Sequence, residues 1–127
     1  MQNQKKIEWM LRIGLFGEFF GHGMFAWQLK ARFLEMLTAM TGIVGQTAAT
    51  LMKAIGVSDM LVAFLAIVRP LRIVLIFAVL WGFATAIARP VAGDPIWDFV
   101  ERWPNWTLPL ALLSIRGFPK NWKELFT

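Results

Sequence analysis

The residues of this chain that could do chemistry lie inside an apolar segment. Residues 13–29 read IGLFGEFFGHGMFAWQL, with Glu18 near the middle and His22 four positions later. Residues four apart on an α-helix project from the same face, so the carboxylate and the imidazole are predicted neighbours. An ionisable side chain at membrane depth costs about 2.5 to 3.5 kcal/mol on insertion scales. This cost indicates either a binding or proton-handling site or polar contacts that hold helices together.

The composition favours a lipid bilayer as the surroundings of the whole chain. The 127 residues are 57% hydrophobic, with seven Trp, eleven Phe and a mean hydropathy of +0.56, which is more apolar than an ordinary soluble domain. There is no cysteine and one histidine, which excludes disulfides, thiolate metal sites and a three-histidine zinc site. We therefore expect one integral membrane domain over residues 1–127, with no metal and no cofactor of its own.

Hydropathy and turn signals predict an all-α fold, a bundle of four transmembrane helices with short amphipathic surface helices. About 20 helical residues cross the hydrocarbon core of a membrane. The predicted spans lie at about residues 9–29, 49–68, 71–88 and 104–116, and the amphipathic segments at about 30–41 and 95–103.

Three acidic residues have predicted local roles. Asp59 either lies within the second span or, as we favour, caps a helix that begins after a break at Gly56. Asp94 suits an N-cap with Pro95 as the first helical residue, and Asp98 is four residues before Arg102, at ion-pair spacing.

The distribution of charge predicts the orientation in the membrane. The two termini and the second connection carry eight basic and two acidic residues, whereas the other two connections carry five basic and four acidic residues. The positive-inside rule then places both termini in the cytoplasm, with a bacterial plasma membrane as the expected location. The pI of 10.3 is explained by topology and lipid headgroups, so nucleic acid is not expected as a partner. The basic residues assigned to this role are Arg69, Arg72, Arg116, Lys120 and Lys123.

Depth along the helices brings two carboxylates together. Glu18 lies nine residues from Trp9 and Asp59 ten residues from Arg69, so both are about 14 Å from the same membrane face. Four glycines, Gly14, Gly17, Gly21 and Gly23, allow another helix to approach this part of the first span, and Gly17 and Gly21 form a GxxxG pair. The glycines assigned to helix packing are Gly14, Gly17 and Gly21. We expect a polar cluster of Glu18, His22 and Asp59 inside the bundle.

Two motifs give the chain a family resemblance. The first span has the form R-x-G-L-F-x-E-F-F-G-H-G from Arg12 to Gly23, and IGVSD, residues 55–59, precedes the second. An acidic residue, a dozen mostly apolar positions and an arginine follow, from Asp59 to Arg72. This layout resembles the DoxX-like membrane proteins over most of the chain. The resemblance implies association with membrane redox systems, because that family includes subunits of a thiosulfate:quinone oxidoreductase and partners of oxidative-stress enzymes.

These observations lead to one expectation and two alternatives. We expect a small accessory subunit of a membrane complex, not an enzyme on its own, that either holds a quinone headgroup between Glu18, His22 and Trp81 or simply anchors a larger partner. Its partners would be lipids and other membrane subunits or further copies of itself. The first alternative is a structural protein that stabilises an assembly, with its polar residues satisfied internally. The second is a small carrier with a polar intramembrane site at Glu18 and His22.

Overall fold

Helices make up nearly all of the chain. The computed structural model describes residues 2–127, and within that range there are six α-helices, one 3₁₀-helix and no strand. The all-α prediction is therefore confirmed. The helices are α1 (Gln2–Trp27), α2 (Ala31–Thr41), α3 (Gly45–Val68), α4 (Arg72–Val91), α5 (Ile96–Glu101) and α6 (Pro104–Arg116), and the 3₁₀-helix is Trp122–Phe126.

Two of these helices, α3 and α4, are each long and apolar enough to cross a membrane. The other two predicted spans differ for separate reasons. Helix α1 has 26 residues but begins with the polar stretch QNQKKIE. Helix α6 has 13 residues and is about 20 Å long, less than the ~30 Å hydrocarbon core. The helices thus lie where the sequence predicted helical segments. Of the four predicted spans, α3 and α4 are by themselves long and apolar enough to cross a membrane.

Glycine and proline residues mark three of the helix ends. Helix α2 ends at Gly42, whose φ of 77° is left-handed and whose amide donates to the Thr38 carbonyl at 2.7 Å. Helix α3 ends at Arg69, before Pro70, and α6 begins with Pro104 at its first position. Proline lacks an amide hydrogen, so it is tolerated at a helix start. Its ring clashes with the backbone of the residue before it, which disfavours helical backbone there.

Two close crossings between helices set the geometry of the bundle. A Cβ on Gly56 would lie 2.8 Å from the Gly23 carbonyl oxygen, so α1 and α3 touch backbone to backbone there. A Cβ on Gly82 would lie 2.7 Å from the Asn105 carbonyl carbon, so the start of α6 rests directly on α4. The glycines at these crossings have no space for any larger residue.

The GxxxG prediction named the wrong glycines. A Cβ on Gly17 or Gly21 would meet nothing within 4 Å, and one on Gly14 would meet the Leu108 side chain at 3.1 Å. The approach of α1 to α3 occurs further along, at Gly23, because α1 turns that face toward its neighbour. Of the three predicted packing glycines, Gly14 has a neighbour in another helix.

The predicted caps are also corrected. Asp59 lies in the interior of α3, which continues unbroken through Gly56, so it does not cap a helix start. Helix α5 begins at Ile96 without a side-chain cap, and Asp94 forms an ion pair with Arg32 instead. Arg102 donates to the Asp98 carbonyl oxygen at 3.2 Å, and its ion pair is with Glu101 at 3.5 Å.

One end of the bundle is fastened by arginines, and we call it the arginine-capped end. Arg12 donates to the carbonyl oxygens of Ala66, at 2.9 Å, and Ile67, in the last turn of α3. Arg72 donates to those of Gly117 at 2.7 Å and Arg116 at 2.5 Å. A guanidinium beside terminal helix carbonyls satisfies groups that lack intrahelical partners and also favours the helix dipole.

This arrangement revises the role of two predicted topology residues. Arg72 is used within the protein, and Arg116 pairs with Glu8 at 3.2 Å, whereas Arg69, Lys120 and Lys123 remain exposed. The exposed three are still available to lipid headgroups.

Candidate functional site

A cavity of about 200 Å³ lies between α1, α2, α3, α4 and the start of α6. We call it the bundle cavity. Most of its wall is apolar, and flexible methionines line the side covered by α2. The apolar lining includes Phe33, Met36, Met40, Met52 and Ile55. An apolar cavity of about 150 Å³ is enough to hold benzene, so the bundle cavity accommodates one substituted ring.

An acid and an indole form the inner pole of the bundle cavity. Asp59 is 4% exposed, and its Oδ1 accepts a hydrogen bond of 2.9 Å from Trp81 Nε1. The Trp81 ring stacks on Phe77 with 6.2 Å between centroids, which holds the indole in position. A buried carboxyl group without a partner would cost several kcal/mol, so this bond fixes Asp59 facing the cavity.

The structure brings together three of the four predicted site residues. His22, Asp59 and Trp81 all line the bundle cavity. The His22 ring meets Phe33 edge to face, 6.0 Å between centroids, and so faces the amphipathic helix α2. The fourth residue, Glu18, is half-buried and lies outside the cavity lining, within Coulombic range of Asp59. No hydrogen bond joins Glu18 to His22 in the described part of the chain. The predicted cluster therefore forms around Asp59 and Trp81, with Glu18 beside it.

Asn105 is a site residue that the sequence did not reveal. It lines the cavity and is 8% exposed, and its Nδ2 has no hydrogen-bond partner among residues 2–127. Native proteins leave few buried polar atoms unpaired, and each one calls for an explanation such as a bound ligand or water. The only signal in the sequence was an amide side chain immediately after Pro104, at the start of a predicted span.

Two arginines form the outer pole of the bundle cavity. Arg89, in the last turn of α4, and Arg102, just before α6, both line it. Arg102 has an ion pair with the exposed Glu101, which contributes at most about 1 kcal/mol. Arg89 has no ion pair within residues 2–127, and its Cζ lies 5.9 Å from the Phe33 ring centroid. The outer pole is therefore cationic and weakly neutralised.

A third arginine links α2 to the α4–α5 connection. Arg32 contacts Glu35 at 2.8 Å and also pairs with Asp94. The hydrogen bond to Glu35 raises the pKa of the Arg32 guanidinium, and the Asp94 bond adds to this. Asp94 is thereby engaged by Arg32, and α2 is held over the cavity.

No protein-family model, no curated protein and no solved structure matches this sequence. The site must therefore be interpreted from its own geometry. In residues 2–127 no three His, Asp or Glu side chains come together as a potential metal site. The arrangement is suited to holding a ring-sized molecule with polar groups at both ends, through Asp59 at the inner pole, Asn105 and His22 at the side, and two guanidinium groups at the outer pole.

Proposed function

We propose that this protein is a small integral membrane subunit that binds a ring-sized ligand, such as a quinone headgroup, in the bundle cavity and serves a larger membrane complex. The observation that carries the proposal is the bundle cavity, with its Asp59–Trp81 bond and the unpaired amide of Asn105.

The outer surfaces of α3 and α4 support a membrane location. Only 33% of the most apolar stretch of α3 and 28% of that of α4 are buried within the chain. Large apolar side chains point outward, including Leu61 at 56%, Phe64 at 58% and Leu80 at 66% exposure. Burying a side chain of this kind gains about 1.5 to 3 kcal/mol, so lipid or a partner subunit is expected to cover these faces. In the proposed topology α1 and the α5–α6 pair complete the four spans, with both termini cytoplasmic.

The chemistry of the cavity wall supports a quinone. Quinone carbonyl oxygens accept hydrogen bonds, and the Asn105 amide and the His22 imidazole are available to donate them. The surrounding methionines and Phe33 offer a flexible apolar wall for a ring. The size of the cavity suits a headgroup, and an attached chain would extend into the lipid.

The accessory role rests on the absence of cysteine from these residues and on the resemblance. A chain of 127 residues without cysteine has no thiolate ligands for an iron–sulfur cluster. The DoxX-like layout of the first two spans supports a redox setting. In this proposal the partner subunit carries out electron transfer and this chain holds the quinone.

Purification from native membranes in mild detergent tests the proposal. We expect a larger membrane protein at constant stoichiometry, together with extractable quinone. A Glu18→Gln strain should assemble normally, because Glu18 lies outside the cavity lining, whereas His22→Ala should lose quinone occupancy. Recovery of the chain alone and free of quinone would refute both the accessory role and the ligand.

Orientation is tested separately with reporter fusions. A fusion at Thr127 should report the cytoplasm and a fusion within residues 91–94 the exterior. Reporters at the two sites that give the same side would refute the four-span topology without bearing on the ligand.

A further inference from the structure

The two poles of the bundle cavity differ in charge and are separated along α4. Trp81, which holds Asp59, and Arg89 are eight residues apart, or about 12 Å at the helical rise. The inner pole offers hydrogen-bond acceptors in the Asp59 carboxyl group, whereas His22 faces Phe33 and lies within Coulombic range of both outer-pole arginines. The outer pole offers guanidinium donors in Arg89 and Arg102. A ligand that spans the cavity is therefore oriented by its ends.

No acid among the described residues forms an ion pair with Arg89, and the acids near the outer pole are shared with other groups. Asp94 pairs with Arg32 and Asp98 contributes its backbone carbonyl to Arg102, so both attract Arg89 only at longer range, and the Glu101 partner of Arg102 is exposed. Arg89 and Arg102 are close enough to repel each other electrostatically. Two like charges facing one mainly apolar cavity are unfavourable unless an anion lies between them.

The Asn105 amide supplies an independent observation at the same place. Its Nδ2 is a buried donor without a partner among residues 2–127, and Asn105 lies three residues from Arg102. Donors from both residues face one cavity. An oxygen atom bound there would satisfy the amide and neutralise the guanidiniums together.

We propose that the ligand of the bundle cavity is a ring-sized carboxylic acid, with its carboxylate at Arg89, Arg102 and Asn105 and its opposite end at Asp59. This inference rests on the proposed function only in that the cavity binds a ligand. The acceptor at the inner pole favours a hydroxyl group on the far side of the ring, which donates to Asp59. A planar carboxylate suits guanidinium groups, which bind it through paired N–H bonds.

The test compares an acid with its neutral isostere on the full chain in lipid nanodiscs. The probes are 4-hydroxybenzoate and 4-hydroxybenzamide, and binding is measured by titration calorimetry. A charge-assisted bond exceeds a neutral one by about 1.4 kcal/mol, so the acid should bind about tenfold more tightly. Arg89→Gln and Arg102→Gln should abolish this preference. Arg69→Gln removes an exposed arginine outside the cavity lining and should leave it intact.

The outcomes of this test separate the carboxylate inference from the proposed quinone function. Equal affinity of acid and amide for the wild-type protein would overturn the carboxylate proposal without requiring any variant to fold. A preference that persists in both cavity-arginine variants would also overturn it. If ubiquinone-0 binds and both acid and amide fail, the proposed quinone function stands and the carboxylate inference falls. If none of the three binds, both fall.

A second acid distinguishes the source of the carboxylate. Hexanoate has a similar size and charge but no ring, and it represents an acyl chain from lipid. We expect it to bind more weakly than 4-hydroxybenzoate, because it has no group to donate to Asp59. Tighter binding of hexanoate would reassign the ligand to a fatty acid and overturn the ring.

Discussion

The arginine-capped end and the cavity end of the bundle use the same side chain in opposite ways. At the arginine-capped end, Arg12 and Arg72 donate to carbonyl oxygens in the last turns of α3 and α6. At the cavity end, Arg89 has no ion pair within residues 2–127, and Arg102 has one weak, exposed partner. The difference indicates that one end is built to hold helices together and the other is left available to a ligand.

The two ends differ in the backbone carbonyl groups that each guanidinium contacts. Arg12 crosses from α1 to the terminal carbonyls of another helix, and bonds to a charged donor contribute about 1.5 to 3 kcal/mol each. Arg89 lies in the last turn of its own helix, where it favours the dipole by about 0.3 to 1 kcal/mol. The stability of the fold should therefore depend strongly on the first group and weakly on the second.

The largest effect is expected from closing the α4–α6 crossing with Gly82→Ala. The new Cβ would lie 2.7 Å from the Asn105 carbonyl carbon, which belongs to backbone and cannot rotate away. Overpacking costs about 1 to 3 kcal/mol and occasionally more, and a clash with backbone belongs above this range, so we expect a net loss of more than about 3 kcal/mol after the ~1 kcal/mol that alanine gains over glycine in a helix. Thermal unfolding in detergent should show a clear loss of stability, and ligand binding should weaken because Asn105 shifts.

Gly17→Ala is the matched control for that substitution. A Cβ there meets nothing within 4 Å, so only the gain in helix propensity remains and stability should rise slightly. Equal responses of the two variants would contradict the crossing at Gly82.

The next effect compares the two ends directly. Arg12→Gln should lower the free energy of unfolding by about 2 to 3 kcal/mol, because it removes charged donors from the carbonyl groups of Ala66 and Ile67. Arg89→Gln should change it by less than about 1 kcal/mol. Reversible unfolding of both variants in the same micelles measures the difference. Similar losses of unfolding free energy in the two variants would contradict the claim that Arg12 holds helices together and Arg89 does not.

A smaller effect is expected at the inner pole of the cavity. Trp81→Phe keeps the ring but removes the donor to Asp59, which should cost about 1 to 3 kcal/mol. Asp59→Ala, which removes the acceptor, should cost less in the Trp81→Phe background than in the wild type, because the shared bond is already absent. Additive losses in this double-mutant cycle would show that the bond does not hold the pair together.

The sequence predicted the helical segments well because apolar runs and proline or glycine turns are local signals. Depth counted from residue numbers brought Glu18 and Asp59 together, and the sequence named His22 and Trp81 as further candidates, but Glu18 lies outside the cavity lining. The sequence named Gly23 among the glycines that let a helix approach, but it did not reveal that Gly56 and Gly82 make close crossings, because that depends on how each helix is rotated. Nor did it reveal Asn105 or the partner of Asp94, which depend on contacts between segments distant in the chain.

The most direct test of the account is whether the cavity end holds a small molecule when the protein is extracted from native membranes. Native mass spectrometry of the full chain should show a bound mass of ring size. Met52 lines the cavity and is 4% exposed. Met52→Trp should therefore fill the cavity, abolish that bound mass and leave a folded protein. The control Leu61→Trp, on the exposed face of the same helix, should retain the ligand. A bound mass that persists in Met52→Trp, or its absence from the wild-type protein, would contradict the claim that this end of the bundle is a binding site.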